Sequence, residues 1–204
     1  MSKAIAAEQP SGIVIHTRPV VDMTDNQFYE FCRLNPELRI ERRANGDIIF
    51  MPPTGGETGR KNALLLAAFV NWDITNQSGV TFDSSTGFIL PNGATRSPDL
   101  AWVKKSRFAA LEPEQKRKFI PFCPDFVLEL RSQSDSIAAL KEKMREYVAN
   151  GAQLAWLIDV QTRTVFVYHA DGHIEMLENA ESISGEPVLQ GLRIDLRSIW
   201  EIDF

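Results

Sequence analysis

The chain has 204 residues and a mass of 23.0 kDa, a length that suits one domain. Hydrophobic residues make up 44% and charged residues 24%, with 12 Gly and 11 Pro, which excludes wholesale disorder, collagen-like repeats and coiled coil. The net charge is −5 and the pI is near 5.3, without the basic excess that advertises nucleic-acid binding. Arg42-Arg43, Arg60-Lys61, Lys104-Lys105-Arg107 and Lys116-Arg117-Lys118 are the local basic groups; each reads as solvated surface or as one wall of a cleft. The longest apolar run, residues 63–70, is far short of the ~20 residues that cross a membrane. The first ten residues lack the apolar core of a signal peptide. Cys32 and Cys123 stand in no metal-ligand spacing and read as reduced thiols of a cytoplasmic protein.

Residues 1–11 read as a flexible lead, and residues 12–204 as one domain. A short strand is expected over 13–16. A helix over 24–34 is opened by Thr24, with Phe28, Phe31 and Cys32 at helical spacing. A hairpin of 38–43 and 47–51 turns at Asn45-Gly46, a pair that tolerates positive φ. A helix over about 57–77 follows, apolar nearly all round at 63–70 and so buried on most sides. Strands are expected at 80–83, 87–90 and 99–103. A charged connection then leads to a strand at 125–130 and a helix over about 136–150 that stops at Gly151. Strands at 154–159, 164–169 and 173–177 follow, the last two joined at Asp171-Gly172. The tail, 191–204, carries a short strand and Trp200. Helices set among many strands predict one α/β domain on a mixed sheet.

Several catalytic plans are absent. There is no Gly-x-Ser-x-Gly elbow. The Gly55–Lys61 stretch fails as a P-loop, because Asn62 follows Lys61 and the glycine spacing is wrong. His169 and His173 flank a hairpin turn, a poor setting for zinc. What remains is a set of carboxylates on predicted strands. Asp99, after Pro98, stands at the mouth of an apolar strand. Glu129 lies inside a strand with apolar residues on both sides, so its carboxylate needs a cation, a metal or a proton. That partner is either structural, with Arg131 on the same strand face, or functional. Asp125 reads as a turn residue.

Pro98-Asp99 followed by Glu129-Leu130-Arg131 resembles the Pro-Asp…(Asp/Glu)-x-Lys signature of the restriction-endonuclease-like nucleases. Within that superfamily the chain resembles the Uma-two family of putative endonucleases. Further matching blocks are Ile49-Phe-Met-Pro-Pro-Thr-Gly-Gly-Glu57, Pro124-Asp-Phe-Val-Leu-Glu-Leu-Arg-Ser132, Lys143-x-x-x-Tyr147-x-x-x-Gly151 and Trp156-Leu-Ile-Asp159. The resemblance implies an α/β (α+β) fold: a restriction-endonuclease-like mixed sheet flanked by helices, with an N-terminal β-hairpin extension. It departs at Arg131, where the superfamily has lysine; arginine clamps phosphate but is a poor general base. The resemblance moves the lysine to the following helix, at Lys143. Helical periodicity alone sets Lys141 and Lys143 on opposite edges of the apolar face of Ile137, Leu140, Met144, Tyr147 and Val148, and does not choose between them. Glu57 matches the superfamily's extra acid on its first core helix, but Thr54-x-x-Glu57 is also a capping box, the reading that the residues favour. Glu41 lies in the matching stretch without an assigned role.

The implied activity is a phosphodiesterase acting on DNA with Mg²⁺ or Mn²⁺ held by Asp99 and Glu129. Lys143 would act at the water or phosphate, Arg131 would hold a neighbouring phosphate, and a homodimer is expected by analogy. Two other readings compete: a degenerate nuclease fold serving as a nucleic-acid- or partner-binding module, and a hydrolase of smaller phosphate esters.

Overall fold

The computed structural model describes residues 12–201; the flexible lead expected over 1–11 lies outside them, as do the last three residues of the tail. In chain order the elements are β1 (Ile13–Ile15), α1 (Asp25–Leu34), β2 (Arg39–Arg42), β3 (Ile48–Met51), α2 (Gly56–Asn76), β4 (Gly79–Asp83), β5 (Phe88–Ile89), β6 (Thr95–Arg96) and β7 (Leu100–Lys104). Two short helices follow, α3 (Lys105–Ala109) and α4 (Pro113–Arg117), where the sequence suggests only a charged connection. Then come β8 (Phe126–Leu130), α5 (Ile137–Ala149), β9 (Leu154–Asp159), β10 (Thr164–His169), β11 (Ile174–Glu178), β12 (Ser182–Ser184), β13 (Arg193–Asp195) and α6 (Arg197–Trp200). The strands not foreseen, β6 and β12, are too short to show a two-residue period. Among the described residues no helix is long and apolar enough to cross a membrane.

Thr24 caps α1 in a full capping box: its hydroxyl accepts from the Gln27 N–H at 3.3 Å, and the Gln27 side chain accepts from the Thr24 N–H at 2.9 Å. The hairpin turns where Asn45-Gly46 predicts. Gly46 takes φ +93°, while Arg43 and Asp47 close the loop by a backbone bond of 2.8 Å. Three residues therefore make the turn, with glycine at its left-handed position.

The main sheet has six strands in the order β11-β10-β9-β8-β7-β4. Every neighbour is antiparallel except β8 and β9, which are parallel and joined by α5 as a crossover. Both sheet faces are covered. Phe126, Leu128 and Leu130 of β8 with Leu154, Trp156 and Ile158 of β9 pack on Leu65 and Phe69 of α2. The alternate residues Val127, Ala155 and Leu157 pack on Met144 and Tyr147 of α5. By the same alternation Glu129 belongs to the α5 face. The 63–70 segment is covered on most sides as expected: Leu65 and Phe69 are fully buried, Leu64, Leu66 and Ala68 pack partly buried against the same core, and Ala63 and Ala67 alone form an exposed edge. Small apolar side chains on the outer face cost little there, so a continuous apolar run does not by itself imply burial all round.

The hairpin expected as an extension forms the middle of a second, five-stranded antiparallel sheet, ordered β1-β3-β2-β6-β5. Ile40 and Ile48 of this sheet pack on Phe28 of α1. Only Ser97, Pro98 and Asp99 separate β6 from β7. The chain thus passes from the second sheet straight into the first, and that crossing brings β2 beside β8 and α5.

Candidate active site

Where the two sheets meet, Glu41 of β2, Arg96 of β6, Asp99, Glu129 of β8 and Lys143 of α5 line one cavity of about 550 Å³. The β7–β8 register pairs Leu100 with Leu128, so one further step sets Asp99 opposite Glu129. Two like charges directly opposite on an antiparallel pair repel, and the fold must answer them. Asp99 Oδ2 accepts the Leu130 N–H at 2.9 Å. Glu129 Oε1 accepts from Lys143 Nζ at 2.8 Å and from the Tyr147 hydroxyl at 3.0 Å. Lys143 also reaches Glu41 Oε1 at 2.9 Å. Arg96 binds Glu41 Oε2 at 3.0 Å and Glu146 at 2.6 Å, and the Ser97 N–H donates to Glu41 at 2.9 Å. One ammonium therefore bridges two buried carboxylates, 2% and 5% exposed.

The three acids respond differently. Burial raises Glu129, and the neighbouring Asp99 and Glu41 charges add to it, so that Lys143 pulls it back only to about 7. Burial raises Asp99 as well. Burial also opposes ionisation of Glu41, but Lys143, Arg96 and the Ser97 N–H outweigh it and hold this carboxyl at about 2. Burial works against the Lys143 cation, yet Glu129 and Glu41 more than compensate and keep it protonated far above neutrality. Burial and the same two acids raise the Tyr147 hydroxyl, which stays a donor.

Of the residues singled out in sequence, Asp99, Glu129 and Lys143 stand together. Lys141 does not: its ammonium lies 3.9 Å from the Phe166 ring centroid, on the other edge of α5. Glu57 lies outside the cavity wall, exposed, and pairs with Lys61 at 2.5 Å. It does not form the expected capping box either, because Gly55 takes the N-cap position of α2 with no side-chain bond. Arg131 is also outside the wall. It donates to Asp159 at 2.9 Å and to the Asp135 carbonyl at 3.2 Å, so the Glu129–Arg131 pair considered from sequence is replaced by Glu129–Lys143. Asp125 lies in the bend before β8, as a turn residue, and is buried there: it accepts from the Lys104 N–H at 2.8 Å and pairs with Arg107 at 2.9 Å. Sequence reasoning left Glu41 without a role and missed Arg96. The signal for Glu41 was present: it follows Ile40 in a strand, where its carboxylate must face either core or cleft.

Hard carboxylate oxygens from Asp99 and Glu129, with raised proton affinities and mutual repulsion, suit a divalent cation. Among the described residues no three carboxylate, imidazole or thiolate groups already surround one point at ligand spacing. Asp99 and Glu129 are thus the two carboxylates that could hold such a cation, with waters completing its shell.

A mixed sheet with one helix-bridged parallel pair, acids at the strand ends and a lysine from the bridging helix define an α+β protein with a buried acid–lysine cavity. A solved structure described as a putative nuclease belonging to DUF820, from Anabaena variabilis ATCC 29413, is similar, with a TM-score of 0.71 at 18% identity over 88% of this chain and 98% of that one. A likeness at that identity speaks to the fold. The family model Uma2, "Putative restriction endonuclease", matches residues 25–197; the chain belongs to the Uma2 family. No curated protein matches the chain.

Proposed function

We propose that the protein is a divalent-metal-dependent endonuclease hydrolysing DNA phosphodiester bonds at Asp99, Glu129 and Lys143. The observation that carries this reading is the convergence of Asp99, Glu129, Glu41 and Lys143 at the floor of one cavity. Family membership and a nuclease-type fold support it. Asp99 and Glu129 would hold Mg²⁺ or Mn²⁺ with waters; such an ion supplies charge neutralisation at the phosphate and a more acidic bound water.

The remaining work falls to the chain's own side chains. Lys143, kept protonated by its two acids, suits donation to a phosphate oxygen as negative charge develops there, and does not suit proton abstraction. Glu41 holds Lys143 in that position, with its own geometry set by Arg96 and the Ser97 N–H. Tyr147 fixes Glu129 from the other side.

The degenerate-site alternative draws on the same ion pairs: Lys143 satisfies Glu41 and Glu129 internally. Calorimetric titration of Mg²⁺ and Mn²⁺ into native protein, Asp99→Ala and Glu129→Ala separates the two. Binding to native protein lost in both variants, together with metal-dependent DNA cleavage, supports the enzyme. Folded native protein that neither binds metal nor cleaves with it supports the module.

A further inference from the structure

We infer that the site, on the nuclease reading above, takes a single unpaired DNA strand and not an intact duplex, and that Arg39 and Arg43 hold the phosphates on either side of the scissile one. The first observation is depth. Glu41 and Glu129 are almost fully buried at the base of a cavity of about 550 Å³. That volume lies within the ~300–1,000 Å³ that encloses a drug-sized molecule. It has room for a nucleotide or two. The lining sets Pro52, Pro53, Ser132 and Ser134 around the acids, so a phosphate that reaches Asp99 and Glu129 enters among these side chains, and a single strand does so with no second strand to accommodate.

The second observation is charge. The lining carries six carboxylates against four cations, and two of those cations, Arg96 and Lys143, are committed to Glu41, Glu129 and Glu146. Duplex binding without sequence readout rests on neutralising many phosphates, on the order of 6–10. This cleft has two cations to offer. Arg39 lines the same cavity as Asp99 and makes no side-chain hydrogen bond or ion pair among the described residues. Arg43 has only a long contact to Asp47, at 3.8 Å, and Asp47 is already bonded by Asn45 and His16.

The third observation is spacing. Arg39, Glu41 and Arg43 alternate along β2 and its continuation, and all three line the cavity. At roughly 3.3 Å per residue, the Cα atoms of Arg39 and Arg43 stand roughly 13 Å apart with that of Glu41 midway. That span is a couple of nucleotides of extended single strand, centred on the strand position of Glu41, whose carboxylate holds Lys143. Ile49, Met51 and Leu140 supply apolar surface against which an unstacked base can lie. A strand that is already unpaired avoids the unstacking cost that a duplex would meet, and one copy of the chain completes such a site.

The test uses full-length protein, one labelled 20-mer as single strand and as duplex, and protein variants Arg39→Gln, Arg43→Gln and the surface control Lys105→Gln. Anisotropy is followed in EDTA and with Ca²⁺, and cleavage with Mg²⁺ and Mn²⁺. Single strand should be bound and cut at least tenfold better than duplex. Its binding should weaken with salt at a slope of about −1.4, two phosphates at about −0.7 each. Each arginine variant should weaken single-strand binding roughly tenfold and bring the slope to about −0.7, with Lys105→Gln unchanged. Duplex bound and cut as well as single strand, or an unchanged slope in both arginine variants, overturns the inference while leaving the nuclease reading intact. Folded protein that cuts neither form rejects the nuclease reading and this inference with it.

Discussion

At the scale of single residues, Glu41 is the group on which the site's charge balance turns. An ordinary carboxyl near 4.5 is brought to about 2 in the folded chain. A group whose folded pKa is depressed contributes stability above its unfolded pKa, and that contribution disappears as pH falls through the folded value. Glu41→Gln should therefore cost about 2–3 kcal/mol at pH 7 and progressively less as pH falls from about 4.5 toward 2. Urea unfolding of native and variant protein at pH 7, 5 and 3.5 measures this; a constant difference across the series would show that Glu41 acts through packing alone. The same substitution leaves Lys143 with Glu129 as its single carboxylate partner, so activity should fall alongside stability.

At the scale of elements, two glycines in neighbouring segments should answer one substitution with opposite signs. Gly79 opens β4, and a methyl group there would meet the Trp102 ring at 2.1 Å. Trp102 is 2% exposed and bonded through its indole N–H to Asp73 at 3.1 Å, so it has little freedom to withdraw. Gly79→Ala should cost about 1–3 kcal/mol through overpacking. Gly59, in α2, has nothing within 4 Å of the position a methyl group would take, and its flexibility disfavours the helix. Gly59→Ala should stabilise by about 0.5–1 kcal/mol. Thermal melts of the two variants check both signs together, and destabilisation at Gly59 would point to a role beyond helix formation.

At the scale of the whole molecule, the two thiols report on opening. Burial pushes Cys123 up to about 12, and its Sγ lies 3.4 Å from the Tyr147 carbonyl on the inner face of α5. Burial likewise raises Cys32 to about 11. A thiol reagent at pH 8 should label native protein slowly, with Cys123 reacting only as α5 leaves the sheet. Two thiols per chain should react at once in denaturant. Rapid native labelling of Cys123 would mean that the helix carrying Lys143 opens easily.

The same scales separate what could be read from the chain alone. Alternation in residues 126–130 sets Glu129 opposite in face to Leu128 and Leu130, and the 3.6-residue period of α5 brings Lys143 to the edge of the buried face. These are local periodicities, and they are legible because each depends only on near neighbours in sequence. Which elements then meet is a matter of sheet order and crossing. The second sheet brings Glu41 to Arg96, 55 residues away in the chain, and sets both beside Glu129 and Lys143. No period in the chain encodes that meeting. Tertiary packing likewise selected Lys143 over Lys141, sent Arg131 to Asp159, and left Glu57 with Lys61 outside the cavity. Sequence determined the long, periodic elements and the faces on which their charges lie; the tertiary structure decided the shortest elements and which charges share a cavity, because buried ions must find partners across the fold rather than along the chain.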